Sequence, residues 1–138
     1  NLCHQHLIFP MLDDRTGQPN YNPPPERGGF CWTRSYNRFA WRSYLGAKDP
    51  QLAFIPARIK DLTGLPPAWI CVGDRDLFYD EDISYADRLS SAGVKVQLEI
   101  YKDTPHAFYS VPTARITQDF ESSYINILNI AFANSAQG

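Results

Sequence analysis

Apolar and polar positions along the chain alternate between two periods, and the switches between them outline an ordered set of elements. Residues 5–9, Gln-His-Leu-Ile-Phe, form a short apolar run stopped by Pro10, which predicts a buried strand. A polar, proline-rich loop follows from Leu12 to Gly29, with the triplet Pro23, Pro24, Pro25, and predicts a surface excursion within one domain. From Thr33 to Leu45, Tyr36, Phe39 or Ala40, and Tyr44 recur at helical spacing, and Gly46 stands where a C-terminal cap is expected. Residues 68–72, Ala-Trp-Ile-Cys-Val, are continuously apolar and closed by Gly73, the pattern of a strand covered on both faces. Ile83, Ala86 and Leu89 predict a helix over 79–91, ended by Gly93. Val94, Val96, Leu98 and Ile100 then alternate with Lys95, Gln97, Glu99 and Tyr101, predicting a half-exposed strand near a sheet edge. A closing helix is drawn by Ile116, Phe120, Tyr124, Ile127, Leu128 and Ala131. Strand, helix, strand, helix, strand, helix is the order of an α/β fold: parallel strands with flanking helices.

Composition narrows the function classes. The 138 residues are 43% apolar and 20% charged, enough for a real core, and the formal charge of −2 argues against tracking a phosphate backbone, so no nucleic-acid partner is expected. No apolar run reaches the roughly 20 residues of a membrane span. Three cysteines, Cys3, Cys31 and Cys71, are too few and scattered for a disulfide framework, which predicts buried thiols in a reduced, cytoplasmic protein. Cys3, His4 and His6 raise a metal site, because alternate strand residues share a face, but no second ligand pair follows at zinc spacing; no metal and no cofactor are expected.

Candidate chemistry gathers in two loops just past predicted strand ends, where open parallel sheets collect their active groups. One reads Gly73-Asp74-Arg75-Asp76-Leu77-Phe78-Tyr79-Asp80-Glu81, and the other Lys102-Asp103-Thr104-Pro105-His106-Ala107-Phe108. An acid at one strand tip and an imidazole at the next can meet, the arrangement by which a carboxylate orients a general base. A calcium loop starting at Asp74 would need an oxygen ligand at Phe78 and glycine at Tyr79, and has neither. Asp80 and Asp82 read as carboxylates complementing a helix dipole.

Five ordered stretches carry a family resemblance. They are Leu7 through Arg15, Asp61-Leu62-Thr63-Gly64-Leu65-Pro66-Pro67-Ala68, Val72-Gly73-Asp74-Arg75-Asp76 with Asp80-Glu81, Tyr85-Ala86 with Leu89 through Val94, and Tyr101 through Phe108. With them the chain resembles the C-terminal half of an α/β-hydrolase of the hormone-sensitive-lipase-like carboxylesterase family. The resemblance implies a carboxylic ester hydrolase with Asp76 as the triad acid and His106 as the base. It implies a small-molecule ester as substrate and a cap-like helical segment at about 30–55, with Trp41 as a pocket wall; the strand-helix units carrying the acid and histidine span 68–132. Leu77 and Phe108, beside the triad positions, are further substrate-binding candidates. Leu77 stands where the family usually has proline, and Ala107 where it often has glycine.

The nucleophile is the large departure. No Gly-x-Ser-x-Gly occurs in the chain, and Gly28-Gly29 is the nearest approach to a glycine run. In this fold the order is serine, acid, histidine. The expectation is therefore an incomplete hydrolase domain over 1–138, inactive alone, whose partner is a missing N-terminal half upstream of residue 1; a homodimer is compatible with the sequence. Two alternatives are a non-catalytic binding or regulatory module on a hydrolase scaffold and a hydrolase of another α/β family.

Overall fold

The computed structural model describes residues 2–21, 23–50 and 54–135. Three strands, β1 (Gln5–Ile8), β2 (Ala68–Gly73) and β3 (Val96–Tyr101), form one sheet in the order β1-β2-β3, every pair parallel. Helix α1 (Arg34–Leu45) lies in the connection from β1 to β2, α2 (Tyr79–Ser91) joins β2 to β3, and α3 (Arg115–Ser135) closes the chain. The register sets Ile8 against Cys71 and Gly73 against Tyr101, so the C-terminal ends of all three strands finish side by side.

Side-chain alternation along β2 divides the core in two. Ala68 and Ile70 pack with Tyr85, Ala86 and Leu89 of α2, while Trp69 and Cys71 pack with Phe120 of α3 on the other face. Every residue of β2 is buried, as its unbroken apolar run predicts for a central parallel strand. Burial of a side chain such as Ile70 or Leu89 contributes about 2 kcal/mol. The outer strand β3 is half-exposed, with Ile100 in solvent and Tyr101 buried at its end.

Two helices present a different face from the one their sequences suggest. In α1 the aromatics Tyr36, Phe39 and Tyr44 are exposed, and the buried residues are Asn37 and Trp41. Asn37 turns inward because its amide donates to the Thr16 carbonyl at 2.7 Å and its oxygen accepts from the Trp32 indole at 3.2 Å. Thr33 caps this helix through its hydroxyl, which accepts from the Tyr36 amide, and Gly46 closes it with φ +57°. In α2 the buried stripe begins with Glu81 and Asp82 in place of Ile83. Only Asp80 among the first-turn acids remains a solvent-facing charge of the kind that dipole complementation describes; Asp82 is fully buried with neither oxygen hydrogen-bonded among the described residues. Of the cysteines, Cys71 is buried but Cys3 and Cys31 are exposed, contrary to the expectation of buried thiols; all three are free. The cap-like stretch expected at about 30–55 includes residues 51–53, which lie outside the described residues.

Candidate active site

The backbone brings the two chemistry-bearing loops together before any side chain does. Where β2 ends, the Asp74 amide donates to the Tyr101 carbonyl at 3.0 Å and the Arg75 amide to the Thr104 carbonyl at 3.1 Å. The Thr104 hydroxyl donates back to the Tyr101 carbonyl at 2.7 Å, closing the turn that leads to His106. This approach depends on Gly73: a Cβ there would stand far inside van der Waals contact with the Thr104 carbonyl oxygen.

Within that frame His106 Nδ1 lies 2.9 Å from Oδ2 of Asp76, and the other carboxylate oxygen accepts the Phe78 amide at 3.0 Å. Asp76 has no exposed surface, whereas the His106 side chain is 20% exposed, so the acid is sealed behind a base that reaches solvent. A carboxylate accepting from Nδ1–H leaves Nε2 as the proton-accepting nitrogen. Asp80 is turned elsewhere, and Asp74 Oδ1 is buried without a hydrogen-bond partner among the described residues. The Asp74 backbone carbonyl takes the Arg27 Nε at 3.1 Å, and Asp80 pairs with Arg27 Nη1 at 2.6 Å and the Tyr21 hydroxyl at 3.2 Å.

Three aromatic rings surround the imidazole, with centroids 5.4 Å (Phe78), 5.5 Å (Phe9) and 5.7 Å (Trp32) from that of His106. Sequence reasoning singles out none of them for this role. Phe9 follows β1 directly and Phe78 the acid, so register could have found both; Trp32 arrives from a loop over seventy positions before His106, for which the sequence holds no signal. A cavity of about 440 Å³ opens beside His106, lined by Ile8, Phe9, Tyr109, Phe120, Tyr124 and one acid, Glu121.

The other candidates lie around this centre. Leu77 has no exposed surface and seats Gly28, whose missing Cβ would meet Leu77 Cδ1 at 2.7 Å. Phe108 is buried among Phe9, Tyr101 and Phe120. Trp41 is buried edge-on to Tyr44 and is not among the rings touching His106. Ala107 adopts the left-handed conformation, φ +57°, the geometry that makes glycine favourable after the histidine.

Buried acids beside the site are strongly perturbed. Burial pushes the Glu81 carboxyl up to about 8, although the Leu12 and Asp13 amides donate to its Oε1 and oppose the shift. Burial likewise raises Asp82 well above the usual carboxylate range, with the neighbouring Glu81 and Asp76 adding to it. At the opposite end of the sheet, His6 stacks on Trp69 with centroids 4.3 Å apart, and both its ring nitrogens are buried without hydrogen-bond partners among the described residues. No group of three or more His, Cys, Asp or Glu side chains arranged to hold a metal occurs among the described residues.

A parallel sheet with helices on both faces, and an acid and histidine paired past adjacent strand ends, defines the α/β-hydrolase class. A family model described as the alpha/beta hydrolase fold matches residues 1–110, and the chain belongs to that family. Among curated proteins it is 34% identical to Esterase LipI of Mycobacterium tuberculosis over 70 residues, 49% of this chain and 22% of that protein. Among solved structures it resembles esterase LipW from Mycobacterium marinum, with TM-score 0.81 and 32% identity over 95% of this chain and 41% of that one. A bacterial heroin esterase matches with TM-score 0.78 and 31% identity over 94% of this chain and 43% of that one. A hormone-sensitive lipase from a metagenome library shares the fold, with TM-score 0.70 and 23% identity over 97% of this chain. These matches bear out the resemblance to hormone-sensitive-lipase-like hydrolases. The chain spans about two fifths of the length of those solved esterases (41% and 43%).

Proposed function

We propose that this chain is the acid and base half of a serine carboxylesterase, acting on small-molecule carboxylic esters with a nucleophilic serine and oxyanion hole supplied upstream of residue 1. The observation that carries the reading is the sealed Asp76 carboxylate 2.9 Å from His106 Nδ1. Support also comes from the esterase relatives, at 31–34% identity.

In this reading His106 Nε2 takes the serine proton as the hydroxyl attacks the ester carbonyl, then returns it to the leaving alcohol; water repeats the sequence to free the acid. Asp76 keeps the imidazole in the required tautomer and stabilises its cation. Phe9, Trp32 and Phe78 give the base an apolar surround; Leu77 and Phe108, both out of solvent, pack on Gly28 and on Phe9. The aromatic segment from Trp32 to Tyr44, within the cap-like stretch at about 30–55, is read as part of the cap. Alone, the chain has no nucleophile and is inactive. Its exposed free thiols at Cys3 and Cys31 suit a reducing, cytoplasmic compartment, and no helix among the described residues is long and apolar enough to cross a membrane.

The test is hydrolysis of p-nitrophenyl esters by the complete protein. The wild type should turn over, and His106→Ala should reduce kcat by about 10⁴-fold or more with its melting temperature nearly unchanged. Equal turnover in the two proteins would exclude this reading, and no turnover in either would favour a non-catalytic module.

A further inference from the structure

Another cavity lies at the far end of the sheet from His106, between the first residues of the strands and the last turns of α3. Its volume is about 480 Å³, within the range of small-molecule sites. Ala68 and Val96 begin paired strands there, whereas Gly73 and Tyr101 end them at the acid loop, about 17 Å further along. The register aligns His6, Trp69 and Gln97, and strand alternation adds His4 and Lys95 to the same face.

Val96, Ile127, Ile130 and Ala131 give the cavity an apolar body. Lys95 is the one charged side chain on its lining, with His4, Gln97 and Asn134 beside it, and no carboxylate lines it among the described residues. Burial holds the His4 and His6 imidazoles below their ordinary value, so both rings are neutral at neutral pH and add no charge. Glu99, two residues along β3 from Gln97, is already engaged: its oxygens accept from the Gln97 side-chain amide and the Tyr101 hydroxyl, each at 2.8 Å.

Trp69 adds a donor held in place. The ring has no exposed surface, stacks on His6 and meets Phe120 and Tyr124, so it is gripped from several sides. Its indole N–H is buried with no acceptor among the described residues, and His4 Nδ1 is likewise buried and unpartnered. A buried donor left unpaired is costly, and a ligand oxygen that reaches it removes that cost. An ammonium group, an unpaired N–H and apolar walls without an acid disfavour a cation and suit an anion with an apolar tail.

We propose that this cavity is a ligand site separate from the one at His106, and that it takes an aliphatic monocarboxylate. The carboxylate faces Lys95 and the Trp69 N–H, and the alkyl chain lies along Val96, Ile127 and Ile130. The site stands independently of the carboxylesterase reading.

The test is calorimetric titration of the complete protein at about pH 7.5, before and after treatment with a fluorophosphonate. Octanoate should bind in both cases, octan-1-ol should bind about tenfold more weakly, and octylamine should not bind. Lys95→Gln, at an exposed position, should weaken octanoate about tenfold and leave octan-1-ol unchanged. Ile130→Glu brings an acid to the half-exposed rim and should abolish octanoate binding, with ester turnover and melting temperature unchanged. No octanoate binding, octylamine binding as tightly as octanoate, or equal octanoate affinity in the wild type and both variants would overturn the proposal. Loss of octanoate binding after fluorophosphonate treatment would place the acid at the catalytic centre and overturn it too. Octanoate binding with the expected variant pattern, in a protein that hydrolyses no ester, would leave this site standing and remove the carboxylesterase reading.

Discussion

Asp76 and His106 are joined through an acid whose two oxygens are used separately. Oδ2 meets His106 Nδ1 at 2.9 Å, and Oδ1 accepts the Phe78 amide at 3.0 Å. The amide fixes the carboxylate's rotation, and the carboxylate fixes the ring. Asp76→Asn keeps the shape but presents an amide whose N–H₂ can face Nδ1 and select the wrong tautomer. Turnover of the complete protein should fall about 10⁴-fold, while the melting temperature changes little. Steady-state kinetics beside a thermal melt checks both parts.

Gly73 holds the two loops at their closest approach. In Gly73→Ala the new Cβ would collide with the Thr104 carbonyl, so the loop leading to His106 must move outward. A displacement of about 1 Å at the base should reduce kcat on the order of 10²-fold. The effect should exceed any change in KM, because the displaced group is the base itself; kinetics over a substrate series would read the split.

Ala107 holds a left-handed conformation, φ +57°, that costs an L-residue roughly 1–2 kcal/mol. Ala107→Gly removes that strain but adds backbone entropy to the unfolded chain, so a net stabilisation of about 0.5–1 kcal/mol is expected. Chemical denaturation with an unchanged m-value would measure it. A loss of stability would contradict the strain argument.

Glu81 and Asp82 make stability fall as pH rises. In the unfolded chain such carboxyls release protons near pH 4, whereas in the folded chain burial holds the Glu81 proton to about 8 and raises Asp82 as well. Between those limits the folded state binds more protons, so unfolding becomes easier with increasing pH. Glu81→Gln and Asp82→Asn should each flatten this slope, gaining on the wild type at pH 8 and not at pH 4. Melting temperatures across that range supply the measurement.

Much of this arrangement is legible in the sequence. The 79–91 helix and the order of three strands follow from period and punctuation, because Gly73, Gly93 and Pro10 stop their elements sharply. Asp76 and His106 can be found because both stand just past strand ends, where backbone connectivity alone places them near each other. What stays hidden depends on contacts between distant segments. Trp32 reaches His106 through a loop with no periodic signal, and the orientation of α1 is set by the hydrogen bonds of Asn37 in opposition to its exposed aromatic spacing. Asp82 reads as a surface charge because a first-turn acid ordinarily is one; its burial follows from how α2 packs on the sheet.

The central claim, that Asp76 and His106 serve a nucleophilic serine, is tested most directly by a fluorophosphonate probe on the complete protein, followed by peptide mapping. The expected result is one covalent adduct on a serine upstream of residue 1, formed by the wild type and strongly slowed in His106→Ala. No adduct, or labelling at the same rate in His106→Ala, would contradict it.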